Sequence, residues 1–502
     1  KISRLMIAGT GSGCGKTTLT AGILAALHRK GVKIQPFKTG PDFIDPKFHT
    51  HIVGWPSRNL DSWMLKGETL RYLFCRHAEG KDVALIEGVM GFYDGLLNEP
   101  LRGSSAELSV ILKTPVVLVV NGKGMSLSVA AMIRGYVALS PDVNIVGVIL
   151  NQVREPVFNQ LKPQVEAMTG VPLLGYLPPL PAIELKSREL GLVAPAEIKD
   201  LDHQVAQLAA QVEASIDLSR LLQLAAEAPP LSGSLPEDVA HALTWGKDSR
   251  GYTALLTGNA EADGRAAYKG EEGRNELESG GSIQMGTLPT SPLRWGIAED
   301  CAFNFYYQDN LDLMSDMGIE WVPFSPLADS ALPKDLDGLY IGGGYPEIYA
   351  SALSANAEMC AAIRHFVASD RPVFAECGGF MYLGRTLETK DGKQHLFCGA
   401  LPIDFRVTER LTRFGYVTLT AQREGLLGGP GMTVTAHEFH YSDSTDNGDA
   451  FVATRPSGRS WPTIHMSDRL CAGYPYIHFY ANPVIAARLV QTCRAAQMTG
   501  AQ

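Results

Sequence analysis

Apolar residues fall in short unbroken runs, separated by longer stretches in which apolar positions recur with a helical period. Over residues 1 to about 180 the runs are RLMIAG (4–9), VKIQPFK (32–38), VALIEG (83–88), PVVLVV (115–120) and NIVGVIL (144–150). Strands that are continuously apolar, not alternating, are buried on both faces, as in a parallel sheet covered by helices. TTLTAGILAALHRKG, after the first run, reads as a helix. This pattern predicts one doubly wound α/β domain. A second set of strands begins at Arg294: RWGIA (294–298), IEWVPF (319–324), DGLYIGGG (337–344) and RPVFAE (371–376), with LSANAEMCAAIRHFVAS (353–369) as a helix. Between the two sets, from about 225 to 292, Ser, Gly, Glu, Asp and Ala dominate, and the segment reads as a linker or loosely ordered insertion in which HALTWG and GYTALLTG could pack locally. The expected organisation is therefore 1–224, 225–292 and 293–502.

Composition narrows the class. The 502 residues are 45% hydrophobic and 19% charged, which suits a globular chain of two to four domains. A net charge of −9 without a Lys/Arg-rich run argues against nucleic acid as a partner. The eight cysteines are scattered without a CxxC pair, which reads as reduced thiols in a cytoplasm. The apolar runs are too short to span a bilayer and no signal-peptide pattern opens the chain, so a soluble, cytoplasmic protein without a membrane partner is expected. The sequence is silent on oligomeric state, although a homodimer is compatible with it.

AGTGSGCGKTTLT (8–20) lies between a strand and a helix, where backbone N–H groups and a helix N-terminus cradle phosphate oxygens. Gly11, Gly13 and Gly15 permit the tight loop, Lys16 would reach the β/γ-phosphates, and Thr17 and Thr18 would sit at the nucleotide, with Thr17 on Mg²⁺. The first glycine of G-x-x-x-x-G-K-[ST] is Thr10 here. This variant resembles the loop of dethiobiotin synthetase and its relatives, whose ATP drives carboxylate activation. Glu87 ends a strand where open α/β sheets bind ligands, and reads either as a second Mg²⁺ ligand or as a solvated loop residue. Asp94 lies on the same rim. FKTGPDFIDP carries Lys38, Asp42 and Asp45 after a strand, and Asn151 follows the last strand, as an adenine reader or a cap.

RPVFAECGGF has the strand–turn–helix form that exposes a nucleophile, here Cys377, near a helix N-terminus expected to favour its thiolate. His478 in YPYIHFYANP is a candidate base, although a lone His between apolar residues is more often structural. Gly343 and Gly344 in GGGYPE offer N–H groups for an oxyanion hole. His437 and His440 in AHEFHYS stay ambiguous, and spacing alone cannot show which groups meet.

These pieces resemble the class I glutamine amidotransferases, in a subgroup where Tyr480 stands in place of the acid that usually follows the histidine by two residues. GTGSGCGKTT, KTGPDFIDPKFH, RNLDSWML, IEGVMGFYDG, IAEDCAFNFYYQDNLDLM, LTRFGYV, AHEFHYS and IHFYANP, in that order, resemble the cobyrinate a,c-diamide synthase family. The resemblance implies an N-terminal P-loop, dethiobiotin synthetase-like doubly wound parallel sheet and a C-terminal flavodoxin-like class I glutamine amidotransferase domain. It implies ATP and glutamine as co-substrates, Mg²⁺ as cofactor and the a and c acetates of a corrin tetrapyrrole, cobyrinic acid, as the acyl acceptors, within cobalamin biosynthesis. Hydrogenobyrinic acid and nickel sirohydrochlorin are alternative macrocycles. Under that resemblance Asp42, Asp45 and Asp94 organise metal, acyl phosphate and ammonia. Lys38 neutralises the transferring phosphoryl, and Cys377 with His478 releases ammonia along a sheltered passage. The reading from a different class is a P-loop ATPase switch, which has no use for ECGGF or for a second α/β domain.

Overall fold

A computed structural model of the chain describes residues 1–96, 99, 101–180, 187–188, 191–192, 197–247 and 292–500. They divide into two compact units, Lys1–Pro236 with Tyr307–Asp309, and Glu237–Tyr306 with Asn310–Gln502.

The first unit is built on seven strands, β1 (Arg4–Gly9), β2 (Ile34–Thr39), β3 (Arg58–Leu60), β4 (Val83–Glu87), β5 (Val116–Asn121), β6 (Ile145–Asn151) and β7 (Leu173–Leu177). They pair in the order β3-β2-β4-β1-β5-β6-β7, all in parallel. The four central strands β1, β2, β4 and β5 are buried throughout except for Asn121 at the end of β5. That is why β1, β4 and β5 are apolar along most of their length, whereas β2 buries Gln35, Lys38 and Thr39 among its apolar residues. Helix α1 (Lys16–Arg29) follows β1, α2 (Asp45–Val53) follows β2, and Leu19, Ile23 and Leu27 of α1 pack with Leu208 and Val212 into the core beneath the sheet. The order β4-β1-β5 has consecutive strands departing in opposite directions from β1, which opens a crevice at its C-terminal end.

The second unit holds a six-stranded sheet in the order Ile319–Phe324, Leu293–Ala298, Gly338–Ile341, Val373–Glu376, Leu470–Gly473 and His465–Met466. Only the last pairing is antiparallel. The expected helix over 353–369 is two helices, Ala350–Ala355 and Ala357–Val367, because Asn356 breaks off to cap the second by accepting from Met359 N–H. A five-stranded antiparallel sheet between residues 413 and 477 was not anticipated. Its strands are half-buried and carry no continuous apolar run.

Of the expected insertion, residues up to 247 lie in described structure. Pro229 O accepts from the buried Arg4 in the first unit, and the helix Glu237–Lys247 packs on the C-terminal helix of the second, where Gln491 donates to Trp245 O. Residues 248–291, including GYTALLTG, lie outside the described residues. No helix among the described residues is long and apolar enough to cross a membrane.

Candidate active sites

The phosphate loop runs from β1 into α1. Gly13 and Gly15 take positive φ, 73° and 97°, a region that costs a non-glycine residue, whereas Thr10 does not. The missing first glycine of the motif is therefore not required by the backbone. Thr10 N donates to Val119 O, and Thr10 O accepts from Tyr136 Oη at 2.6 Å. Lys16 Nζ curls back to Gly11 O at 3.0 Å, across the loop. Burial lowers its pKa, more than the nearby acids raise it. Asn151 Nδ2 donates to Cys14 O at 2.8 Å, and a Cβ on Gly15 would come within 2.0 Å of that amide. The Asn151 amide thus braces the loop.

Beside the loop stands a buried charge network. Lys38 Nζ donates to Asp45 Oδ2 at 2.6 Å, Glu87 Oε1 at 2.8 Å and Gly88 O at 3.2 Å. Thr17 Oγ1 reaches the same two oxygens, at 3.3 Å and 2.8 Å. Parallel register explains the meeting, since Lys38 on β2 lies directly opposite Glu87 on β4. Burial alone would push the Glu87 carboxyl up, but Lys38 and His49 overcome it and hold it well below the usual range. Asp45 goes the other way, raised by burial and by Asp42 and Glu87. Burial opposes the Lys38 ammonium, yet the three acids around it keep it firmly charged. Asp42 Oδ1 caps α2 by accepting from Ile44 and Asp45 N–H, at 2.7 and 3.2 Å. Asp94 is exposed and accepts from Gly91 N–H within its own loop at 2.9 Å. The structure therefore joins Thr17, Lys38, Asp45 and Glu87 directly and puts Asp42 beside them, while Asp94 bonds within its own loop.

His49 was not anticipated. Its Nε2 lies 2.7 Å from Glu87 Oε2 and its Nδ1 3.2 Å from Ser57 Oγ. The available signal was spacing, since His49 is four residues from Asp45 and shares its helix face.

In the second unit, Cys377 sits between the strand Val373–Glu376 and the helix Gly378–Leu383, with φ 48° and ψ −102°. Such backbone stores about 1–3 kcal/mol and turns the side chain out of the strand. The glycines after it admit close packing: a Cβ on Gly379 would lie 2.0 Å from Ile341 O, and one on Gly378 3.2 Å from Gly344 N. Gly344 itself has φ 152° and no room for a side chain against Ala302 O. The turn and the GGGYPE strand are thereby brought together. Contrary to the sequence expectation, the thiol is pushed up to about 12, by burial first, with hydrogen bonds from Tyr476 and Gly378 N–H only partly opposing it. A helix of six residues does not offset the loss of water around a buried thiolate.

His478 is fully buried and its backbone is clamped on both sides. Asn310 Nδ2 donates to Ile477 O and Asn310 Oδ1 accepts from Phe479 N–H, each at 2.7 Å. Glu376, one residue before Cys377, accepts from Ile477 N–H at 2.8 Å and from Tyr340 Oη at 2.6 Å. The turns carrying Cys377 and His478 are thus tied by their neighbours. Tyr480 lies edge-on to His478, with ring centroids 6.0 Å apart. His440 stacks on Tyr474 at 3.7 Å with its Nδ1 on Ser442 O, and His437 is packed against Phe414 and Tyr416; burial lowers both, to about 4 and about 3.

Two domain families match these units. Residues 5–193 match the CobQ/CobB/MinD/ParA nucleotide binding domain, and residues 295–482 match the CobB/CobQ-like glutamine amidotransferase domain. A nucleotide-binding P-loop sheet with an amidotransferase domain in one chain defines a glutamine-hydrolysing, amide-forming ligase. Similar full-length proteins narrow this further. The chain is 37% identical over 495 residues to the cobyrinate a,c-diamide synthase of Listeria innocua, covering 97% of this chain and 99% of that one. It is 38% identical over 484 residues to the enzyme of the same name from Salmonella typhimurium, covering 95% of each. A third, from Syntrophotalea carbinolica, is 37% identical over 504 residues, with 98% of each chain covered. The chain belongs to the cobyrinate a,c-diamide synthase family.

Proposed function

We propose that this enzyme converts the a and c acetate carboxylates of cobyrinic acid to amides, using ATP and glutamine, through acyl phosphates. The observation that supports this most is the buried Lys38–Asp45–Glu87 network reaching Thr17 of the phosphate loop. A carboxylate cannot expel oxide, so the γ-phosphoryl of ATP is first transferred to one of its oxygens, leaving ADP. Ammonia then attacks the acyl carbon and phosphate departs. Charge on the transferring phosphoryl is balanced by fixed cations, here Lys16 and Lys38. Thr17, with Glu87, offers the hard oxygens that suit Mg²⁺, which would neutralise phosphate charge when bound. Thr18 and the loop glycines 11, 13 and 15 face the nucleotide, and Asn151 acts on it through the loop it braces. Asp42, Asp45 and Asp94 organise the acyl phosphate and the incoming ammonia. Residues 1–224 form the synthetase domain and residues 293–502 the amidotransferase.

Ammonia comes from glutamine. Cys377 Sγ attacks the side-chain amide, His478 carries the thiol proton to the leaving nitrogen, and Gly343 and Gly344 N–H groups face the developing oxyanion. The amidotransferase match over residues 295–482 favours this over a P-loop switch. The test is mass spectrometry of cobyrinic acid, hydrogenobyrinic acid and nickel sirohydrochlorin, each incubated with protein, ATP, Mg²⁺ and glutamine. Two amides gained on cobyrinic acid are expected. Amidation of another macrocycle alone would move the substrate assignment, and none with any macrocycle, ammonium salt included, would overturn the reading. Cys377→Ser is expected to lower glutamine-dependent amidation by about a thousandfold or more and to spare the ammonia-dependent reaction.

A further inference from the structure

The two-residue account of glutamine hydrolysis leaves out a side chain that touches the nucleophile. Tyr476 lies on the two-residue strand leading into His478, paired with His437 in the antiparallel sheet, and is buried. Its hydroxyl is hydrogen-bonded to the Cys377 thiol. The same oxygen rests against the bare Cα of Gly343, where a Cβ would come within 1.8 Å of it. Only glycine at 343 admits the phenol, so the bare strand serves this hydroxyl as well as any oxyanion. The oxygen therefore touches both the reacting sulfur and the GGGYPE strand.

The surroundings show what such a contact does. Besides Tyr476, the groups around Cys377 are Phe439 O, which accepts from the thiol at 4.0 Å, the carboxyls of Glu347 and Glu376, which oppose a thiolate, and Gly378 N–H, which favours one; Tyr474 also stands within electrostatic range. A thiolate buried within electrostatic range of carboxyls needs donors, and a phenol is a donor that keeps its own proton near neutral pH.

We infer that the Tyr476 hydroxyl is a third catalytic side chain of the glutamine-hydrolysing centre, donating a hydrogen bond to the Cys377 thiolate. The inference rests on the reading of Cys377 as the nucleophile. As the sulfur adds to the amide carbon, the carbonyl π pair moves to oxygen. The tetrahedral adduct then expels ammonia, its nitrogen taking the proton that His478 received from the thiol, and leaves the γ-glutamyl thioester. Water hydrolyses the thioester to glutamate and restores the thiol. Tyr476 gives up no proton in any step; it stabilises charge on sulfur before attack and on the departing thiolate afterwards.

Tyr476→Phe removes one oxygen and keeps the ring. Alkylation of Cys377 by iodoacetamide, followed on its own peptide across pH, is expected to move its midpoint upward by about one pH unit, a tenfold slowing at fixed pH. Glutamine-dependent kcat falls about ten- to a hundredfold while the ammonia-dependent rate stays within about twofold. An unchanged alkylation profile, or a faster reaction because the phenol merely covers the sulfur, overturns the inference. Should the Phe variant lose both activities, 3-fluorotyrosine at 476 is read instead. A stronger donor moves the midpoint down, and no movement refutes the donor role. Cys377→Ser separates the two readings: if it still uses glutamine, the nucleophile assignment fails; if it does not while Tyr476→Phe behaves as wild type, only the Tyr476 inference fails.

Discussion

The two candidate centres set opposite electrostatic conditions with buried side chains. In the first unit, Lys38 Nζ lies 2.6 Å from Asp45 and 2.8 Å from Glu87, and Glu87 lies 2.7 Å from the His49 ring, on adjacent strands and the helix that follows. In the second, Cys377, Glu376 and Tyr340 are held in a site whose burial favours their neutral forms. The first arrangement suits a reaction that begins and ends with anions, because opposing charge is already in place and need not reorganise. The second suits a nucleophile revealed only when substrate and base are present, because a buried thiol without its partners stays protonated. One site is held by ion pairs; the other is held by backbone clamps.

Lys38→Met is the most severe break in that contrast. It leaves Asp45 and Glu87 buried without their cation, which costs about 3–5 kcal/mol in a urea denaturation measurement. Glutamine- and ammonia-dependent amidation should both fall by about a hundredfold or more. Survival of the ammonia-dependent rate would remove Lys38 from the phosphoryl-transfer site.

A smaller effect is expected from Asn310→Ala, which strips the clamp from both sides of His478 and leaves two buried backbone groups unpaired, each worth about 1–3 kcal/mol. Glutamine-dependent kcat should drop about tenfold or more, with the ammonia-dependent rate nearly unchanged. Equal loss of both activities would make Asn310 a general structural residue and not a positioning one.

The smallest effect concerns pH, and its sign differs between the sites. Glu87 is depressed in the folded state, so its contribution to stability is present above its ordinary value and is lost as the solution is acidified. Glu376 is raised from 4.5 to about 8 by burial, with Ile477 N–H and Tyr340 only partly opposing. Its contribution is complete below about pH 4.5 and declines as pH rises toward 8, where the folded carboxyl also ionises. Glu376→Gln keeps an acceptor for Ile477 N–H and removes the titration. The melting temperature of the variant, measured from pH 5 to 8, should fall less steeply than that of the wild type. Parallel curves would mean that Glu376 does not titrate in this window.

Most of the parallel strands were legible because burial on both faces writes a largely apolar run; Arg4–Gly9 and Ile319–Phe324 match the sequence reading, and the others differ from it by one to three residues at an end. Strands Arg58–Leu60, Leu173–Leu177 and Leu470–Gly473 were not anticipated, nor was the antiparallel sheet of the second unit, whose strands reach nine residues but mix polar with apolar positions and leave only a weak alternation. The glycine loop between Arg4–Gly9 and Lys16–Arg29 was readable because its residue types stand in one local order, with Gly13 and Gly15 where the backbone takes positive φ. Cys377 was readable for the same reason, its strain being confined to a single turn.

What sequence determined by itself was therefore local: which runs are buried, where the chain turns sharply, and which residue types the two turns carry. What only the tertiary structure decided was pairing across distance. Lys38 meets Glu87 49 residues away through parallel register, Asn310 grips the flanks of His478 from 167 and 169 residues away, and Glu376 reaches Ile477 across 101. Burial belongs to the same category. It raised a thiol that the local motif would have lowered, since desolvation depends on everything packed around a group and not on its neighbours in the chain.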